Sequence, residues 1–280
     1  MRRQRSTAGR NHCGRGGSPD APRTPSHGIA RTLSKLGHCS RTEAAKLVAE
    51  GRVTLDGRPV RDPEARVPPG ARLEVDGAPV AATARRYVAL NKPRGVTTTT
   101  RDERGRDTVY RCFDGADLPW LAPVGRLDRA SEGLLLFTND PAWAATITLP
   151  DGGIEKTYHV QIDRVPDETL AATMMRGVVD AGEPLAATRV SVLRAGQRHG
   201  WLEVVLDEGR NRQIRRLLAA LDVAVLRLVR VSIGSVALGD LAKGAWRDLT
   251  VAERDALPVS TPSRPTLAPA QARARKTPRA

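Results

Sequence analysis

The run from Val124 to Asp140, VGRLDRASEGLLLFTND, constrains this chain more than any other segment. Leu134 to Thr138 form a short apolar run, which predicts a buried strand. Just before it, in a loop bounded by Gly125 and Gly133, stands the carboxylate of Asp128. A charge beside chain that must be buried needs a partner or a chemical role. The local pattern fits a turn ending in a solvated aspartate equally well.

Around this run the periodicities define a larger unit over residues 87–257. Tyr87 to Leu90 read as a strand entering the Asn91-Lys92-Pro93-Arg94-Gly95 turn. Asn139-Asp140-Pro141 opens a helix, with Asp at the N-cap and Pro at the first helical position. Tyr158, Val160 and Ile162 alternate on one face of a strand, as do Leu202, Val204 and Leu206. Ile214, Leu217, Leu218 and Leu221 mark a helix, and Val225 to Ile233 another strand. Helices and strands that do not alternate regularly predict an α+β fold with a mixed, mainly antiparallel sheet.

A smaller unit precedes it, over residues 28–76. Ile29, Leu33 and Leu36 recur at helical spacing before Gly37. Ser40-Arg41-Thr42-Glu43 is a capping-box pattern opening a second helix. Val53 to Val60 reads as a hairpin turning at Asp56-Gly57, and Arg72 to Val75 as a further strand. Residues 77–86 read as a linker that leaves the two units free to move relative to each other.

The net charge of +14 points toward nucleic acid, but most of it sits in the tails. Residues 1–27 hold six arginines against Asp20, and residues 258–280 hold five basic residues and no acid. Both are expected to be disordered and to bind phosphate without reading sequence, or to act as solubility appendages. No apolar run approaches a membrane span, and no apolar segment follows the Arg-rich start as a signal peptide requires. Cys13, Cys39 and Cys112 form no CxxC pair, so disulfides and zinc are not expected and a reducing cytoplasm is.

The stretch RTLSKLGHCSRTEAAKLVAEGRVTLDGRPV resembles the S4-type RNA-binding domain. The resemblance implies that Arg31, Lys35, Arg41, Lys46, Arg52 and Arg58 face structured RNA, whose phosphates their charge suits. Downstream, NKPRGV, VGRLDRASEGLLLFTND, EKTYHV, EGRNRQIRR and LVRVSIG followed by LAKGAWRDLT resemble, in order, the bacterial RsuA family of rRNA pseudouridine synthases. Together the resemblances cover residues 28–257. They imply a small S4-type domain followed by a synthase domain that isomerises uridine in RNA, most naturally ribosomal RNA within assembly intermediates, acting as a monomer.

Carried over residue by residue, the resemblance makes Asp128 the catalytic carboxylate. Tyr158 packs on the target uracil and is a candidate base for the C5 proton. Arg215 pairs with Asp128, and it alone among Arg210, Arg212, Arg215 and Arg216 is catalytic, the others meeting phosphate. Arg126, Lys156, Asn211, Arg212 and Gln213 are the expected contacts to substrate RNA. Isomerising uridine is redox-neutral, so no cofactor or metal is expected, and the chain carries neither a Walker loop nor a dinucleotide fingerprint. Two positions depart from the family: Leu149-Pro150 replaces a usual His-Pro, and Asp222 stands where Gly is usual. The competing readings are an RNA-binding assembly factor that keeps the synthase fold without catalysis, and an S4 module with an unrelated appendage. The first predicts loss of Asp128, Tyr158 or Arg215, all of which are present; the five ordered motifs oppose the second.

Overall fold

The computed structural model describes residues 27–257, apart from 101, 103, 150 and 151. Apart from His27, the two basic tails lie outside the described residues.

In the first unit, α1 (Ile29–Lys35) stops where Gly37 turns left-handed, and α2 (Arg41–Ala49) starts at Ser40. The Glu43 amide donates to Ser40 Oγ at 3.0 Å, which is the hydroxyl half of the expected box. Strands β1 (Val53–Leu55) and β2 (Arg58–Val60) pair across Asp56 (φ 49°) and Gly57 (φ 76°), the two left-handed residues of a type I′ turn. Asp76 and Gly77 repeat that turn between β3 (Leu73–Val75) and β4 (Ala78–Pro79), so the sheet runs β2-β1-β3-β4. The range read as a linker thus begins inside this sheet.

The rest of that range is tied down rather than free. Thr83 donates its amide and hydroxyl to the Leu36 carbonyl, both at 3.0 Å. Asn139 donates to Ala84 O at 2.9 Å and accepts from the Arg86 amide at 2.8 Å. Arg85 and the Tyr87 hydroxyl both reach Asp140, at 2.8 and 2.9 Å, while Arg86 grips Asp248 with two nitrogens. Paired backbone, buried Asp140 and the Arg86–Asp248 pair leave this segment little of the freedom that its Ala-rich composition predicts.

The larger unit contributes β5 (Tyr87–Lys92), β6 (Ala122–Val124), β7 (Glu132–Thr138), helix α3 (Pro141–Thr148), β8 (Lys156–Ile162) and α4 (Glu168–Arg176). A small hairpin of β9 (Val178–Asp180) and β10 (Glu183–Leu185) follows, then β11 (Arg189–Ala195), β12 (Gly200–Leu206) and α5 (Gln213–Ala219). The chain ends in β13 (Val225–Ile233), β14 (Val236–Ala237), β15 (Trp246–Asp248) and α6 (Val251–Ala256). One mixed sheet runs β11-β12-β8-β13-β7-β5-β15, with β14 on β13 and β6 on β7. Every pairing between its named strands is antiparallel except β13 with β7.

Strand β7 is buried at every residue because apolar layers cover both of its faces. Leu135 and Phe137 join the core beneath α4 and α5, while Leu134 and Leu136 meet Trp143 and Ile147 of α3. Its first residue, Glu132, is buried yet ionic: Arg227 and Lys243 hold it at 2.5 and 2.8 Å. Burial alone would raise its pKa, but those hydrogen bonds bring it below the usual carboxylate value.

Where the two parallel strands meet, the register places Lys92, Gly133, Arg230 and Tyr158 in one row across β5, β7, β13 and β8. Gly133 has φ 102°, and a Cβ on it would lie 2.8 Å from the Arg230 amide nitrogen and nearer still to the Arg230 carbonyl oxygen. The three nearest atoms are all Arg230 backbone, so no side chain is there to yield. Gly133→Ala is therefore expected to destabilise the protein by about 3 kcal/mol or more, combining overpacking with an unfavourable backbone angle. Urea unfolding of the purified variant checks this, and a loss under about 1 kcal/mol would contradict it.

Candidate active site

The loop between β6 and β7 carries Asp128 over the central row of the sheet. It is held from below by Lys92, whose side chain has no exposed surface. The ammonium donates to the carbonyl oxygens of Pro93 at 3.1 Å, Asp128 at 3.2 Å and Ser131 at 2.8 Å. Burial lowers the Lys92 pKa to about 8, with nearby Asp128, Cys112 and Glu132 opposing the drop. The flanking turn adds reciprocal bonds: the Gly95 amide donates to Arg129 O and Arg129 Nε to Gly95 O, both at 2.8 Å. Thr98 Oγ1 donates to Leu127 O at 2.8 Å. The NKPRGV motif thus forms the seat of the Asp128 loop, a role that sequence reading did not give it.

Asp128 faces a cleft of about 540 Å³ whose walls include Lys156, Tyr158, Arg212, Arg215 and Arg230. A second groove of about 490 Å³ adjoins on its other side, lined by Thr97, Arg106, Arg126 and Asn211 among others. Tyr158 is buried on the same face of β8 as Val160 and Ile162, at the edge of the cleft. Lys156, two residues before it, also lines the cleft; burial first and Arg230 second push its pKa down.

The partner of the carboxylate differs from the expected one. Arg212 Nη1 lies 3.3 Å from Asp128 Oδ2, whereas Arg215 donates to the carbonyls of Val225 and Ala130, each at 3.3 Å. The reason is local geometry. Arg212 precedes α5 in a left-handed conformation (φ 50°, ψ 31°), which carries its side chain to the loop. Arg215 is packed one turn deeper between the start of β13 and Ala130. Burial and then Arg212 disfavour its charge, while Asp128 favours it, so the carboxylate is near without being bonded. Arg215 Nε is buried without a hydrogen-bond partner.

Two further expectations need correction. Arg210 is bound by Glu208 and Glu183, and Arg216 by Asp180 and Glu183, at 2.6 to 3.0 Å. These arginines lock the β9–β10 hairpin to the main unit instead of waiting for phosphate. Gln213 is buried and donates to Ala186 O and Glu208 Oε1, at 3.0 and 2.6 Å, so its amide serves the fold rather than the RNA. In the first unit, Arg52 is chelated by Asp76, while Arg41 and Lys46 stand 3.7 and 3.8 Å from Glu64 and Glu50. Lys35 Nζ meets His27 Nε2 at 2.6 Å, whereas Arg31 and Arg58 are exposed and enter no ion pair among the described residues.

Comparison with known proteins now bears on this geometry. The family model for RNA pseudouridylate synthase matches residues 86–220, and the S4 domain model matches residues 28–73. An uncharacterized RNA pseudouridine synthase of Rickettsia felis is 33% identical over 222 residues, spanning 79% of this chain and 96% of that protein. The chain belongs to the RNA pseudouridine synthase family. Another member, the ribosomal large subunit pseudouridine synthase B of Salmonella typhimurium, is 34% identical over 237 residues, covering 82% of this chain and 81% of that protein. A crystal structure of a pseudouridylate synthase superposes with a TM-score of 0.59 at 28% identity, covering 83% of this chain and all 100% of the other. As an RNA pseudouridine synthase with an S4 domain, this protein isomerises uridine to pseudouridine in RNA.

Buried Lys92 makes the stability of this synthase depend on pH in a defined direction. Replacing it with Met keeps the stem and removes the donor to three carbonyls, which should cost about 2 kcal/mol. In the folded protein the pKa is about 8, against an ordinary 10.5, so between these values the unfolded chain binds more protons. Stability of the native protein relative to Lys92→Met should therefore rise as pH climbs through that window and be level below it. Denaturant melts of both proteins across the window check this; a gap that narrows with rising pH contradicts it.

Proposed function

We propose that Asp128 is the catalytic carboxylate and that the uridine it acts on lies in ribosomal RNA. The observation that supports this most is how the acids around the cleft are used. Glu208, the other carboxylate on the wall, is consumed by Arg210 and Gln213. Asp128 meets only Arg212, at 3.3 Å, among the described side chains, and it borders both the cleft and the adjoining groove, where it can act at the ribose. Arg212 orients the carboxylate, and Arg215, from behind, supports its charge. Tyr158 stacks on the flipped uracil, and in a chain with only 3% aromatic residues it has few rivals for that role.

The RNA is held in two ways. Arg126 and Asn211 line the groove beside Asp128, where the strand on either side of the target nucleotide runs. The S4 domain adds contacts from Arg31 and Arg58, joined by Lys35, Arg41, Lys46 and Arg52 when phosphate displaces their weak surface pairs. The Salmonella relative acts, by its name, on the large ribosomal subunit, and large-subunit RNA in assembly intermediates is the substrate proposed here. The enzyme works as a monomer in the cytoplasm, with no cofactor.

Mapping pseudouridine in ribosomal RNA from a strain lacking this protein tests the substrate. Asp128→Asn preserves shape and removes the charge, so turnover should fall by more than about 1000-fold while RNA affinity stays within a few fold. Arg212→Ala should lower turnover at saturating RNA by about 10- to 100-fold, and Arg216→Ala should leave it unchanged. Product formation by Asp128→Asn protein, checked for deamidation, would remove the assignment.

A further inference from the structure

Arg230 is a buried arginine that the roles above do not use. It is 6% exposed, its Nε donates to Leu134 O at 2.8 Å, and its Nη2 is buried with no hydrogen-bond partner. It forms no ion pair among the described residues, unlike Arg227 of the same strand, which binds Glu132. It lines the cleft next to Tyr158, its register partner on β8. Lys156 lines the same cleft, and its side chain has no hydrogen bond or ion pair among the described residues. Ser131 Oγ, also on the wall, is buried and unpartnered. Two adjacent cations with an idle buried donor are costly to keep, and a bound group rich in oxygen lone pairs would satisfy them.

We propose that Arg230 is a catalytic residue which, with Lys156, receives the carbonyl oxygens of the target uracil and stabilises the negative charge that develops on the base during isomerisation. This deepens the reading of Asp128 and rests on it. A phosphate is the poorer occupant, because the RNA chain continues on both sides of every phosphate and cannot follow it into the floor of the sheet. A flipped base is a dead end that a buried pocket can hold.

The chemistry needs such a seat. When the N1–C1′ bond breaks, its electron pair stays on the base, giving a uracil anion with charge shared among N1, O2 and O4. The sugar is balanced either by a C1′ bond to the Asp128 carboxylate or by loss of the C2′ proton to it. After rotation, C5 of the anion forms the bond to C1′, the carboxylate is released or the proton returned to C2′, and the C5 proton is removed while N1 takes one up, giving the neutral product. If Asp128 adds instead to C6 of the base, the charge again appears on the carbonyl oxygen at O4. Preorganised N–H donors act on such developing charge without reorganising.

The test uses the full chain and a large-subunit RNA transcript carrying, at the modified site, either uridine or 5-fluorouridine, whose fluorine itself stabilises the base anion. Single-turnover loss of the N1-linked nucleoside is measured together with RNA affinity. For Arg230→Gln the rate on uridine should fall by about 100-fold, the rate on 5-fluorouridine by less than about 10-fold, and affinity should hold within about 2-fold. Arg230→Lys should recover part of the rate. Lys156→Gln, at a less buried position, should show the same narrowing if the first variant folds poorly. Equal losses on both substrates would mean a structural role, and a loss confined to affinity would mean a phosphate contact; either overturns the proposal while leaving Asp128 standing. Inactivity of the unmodified enzyme on the uridine transcript would instead fell the substrate reading, and this inference with it.

Discussion

Gly133 is the contact that lets the centre of the catalytic unit close, because its missing side chain allows β7 to lie directly against the Arg230 backbone. That approach creates the one parallel pairing in the sheet, and it brings Lys92, Arg230 and Tyr158 into line. Lys92 then points beneath the Asp128 loop and Arg230 into the cleft wall. Burying an ammonium and a guanidinium in one row is eased by backbone carbonyls, which take all three donors of Lys92 and the Nε of Arg230. The active-site loop is therefore positioned by main-chain oxygens, which cannot change with side-chain identity.

The arginines divide by what holds them. Those facing the β9–β10 hairpin and Glu132 are bound to carboxylates and fasten elements together. Of those lining the cleft, Arg215 and Arg230 meet carbonyls and Arg212 meets Asp128, so the cavity carries more positive charge than its own acids neutralise. That surplus is local and modest. It is separate from the charge of the two tails, which apart from His27 lie outside the described residues.

Much of the fold was legible because its signals are short-range. The Asp56-Gly57 hairpin, the Asp140 cap on Pro141 and the alternation of Tyr158, Val160 and Ile162 are all set by neighbours in sequence. Asp76-Gly77 carried the same turn signal as Asp56-Gly57 and could have revealed β4. Asp222, unusual for the family, takes the left-handed conformation (φ 57°) that a glycine would adopt there, and Arg164 ties down its carbonyl at 3.0 Å. The motifs also identified which residues gather at the cleft. They named Arg215 as the partner of Asp128 where the structure has Arg212, because the pairing depends on the backbone twist at Arg212, and they did not show that Lys92 and Arg230 share a row, because strand register between distant segments leaves no local trace.

The two ends of β7 explain how binding by one unit can serve chemistry in the other. Asp128 precedes the strand, and Asn139 and Asp140 follow it, gripping Ala84, Arg86 and Arg85 of the segment that leads from the S4 domain. Gly37 of that domain packs close to Asn139 as well, since a Cβ there would lie 3.1 Å from its Nδ2. A seven-residue strand buried on both faces is a stiff spacer of about 20 Å. The segment leading from the S4 domain and the Asp128 loop are thus tied to opposite ends of one rigid strand, and a change at either end of VGRLDRASEGLLLFTND alters the same distance. Compact packing of the connection, not a flexible tether, holds the two units in register.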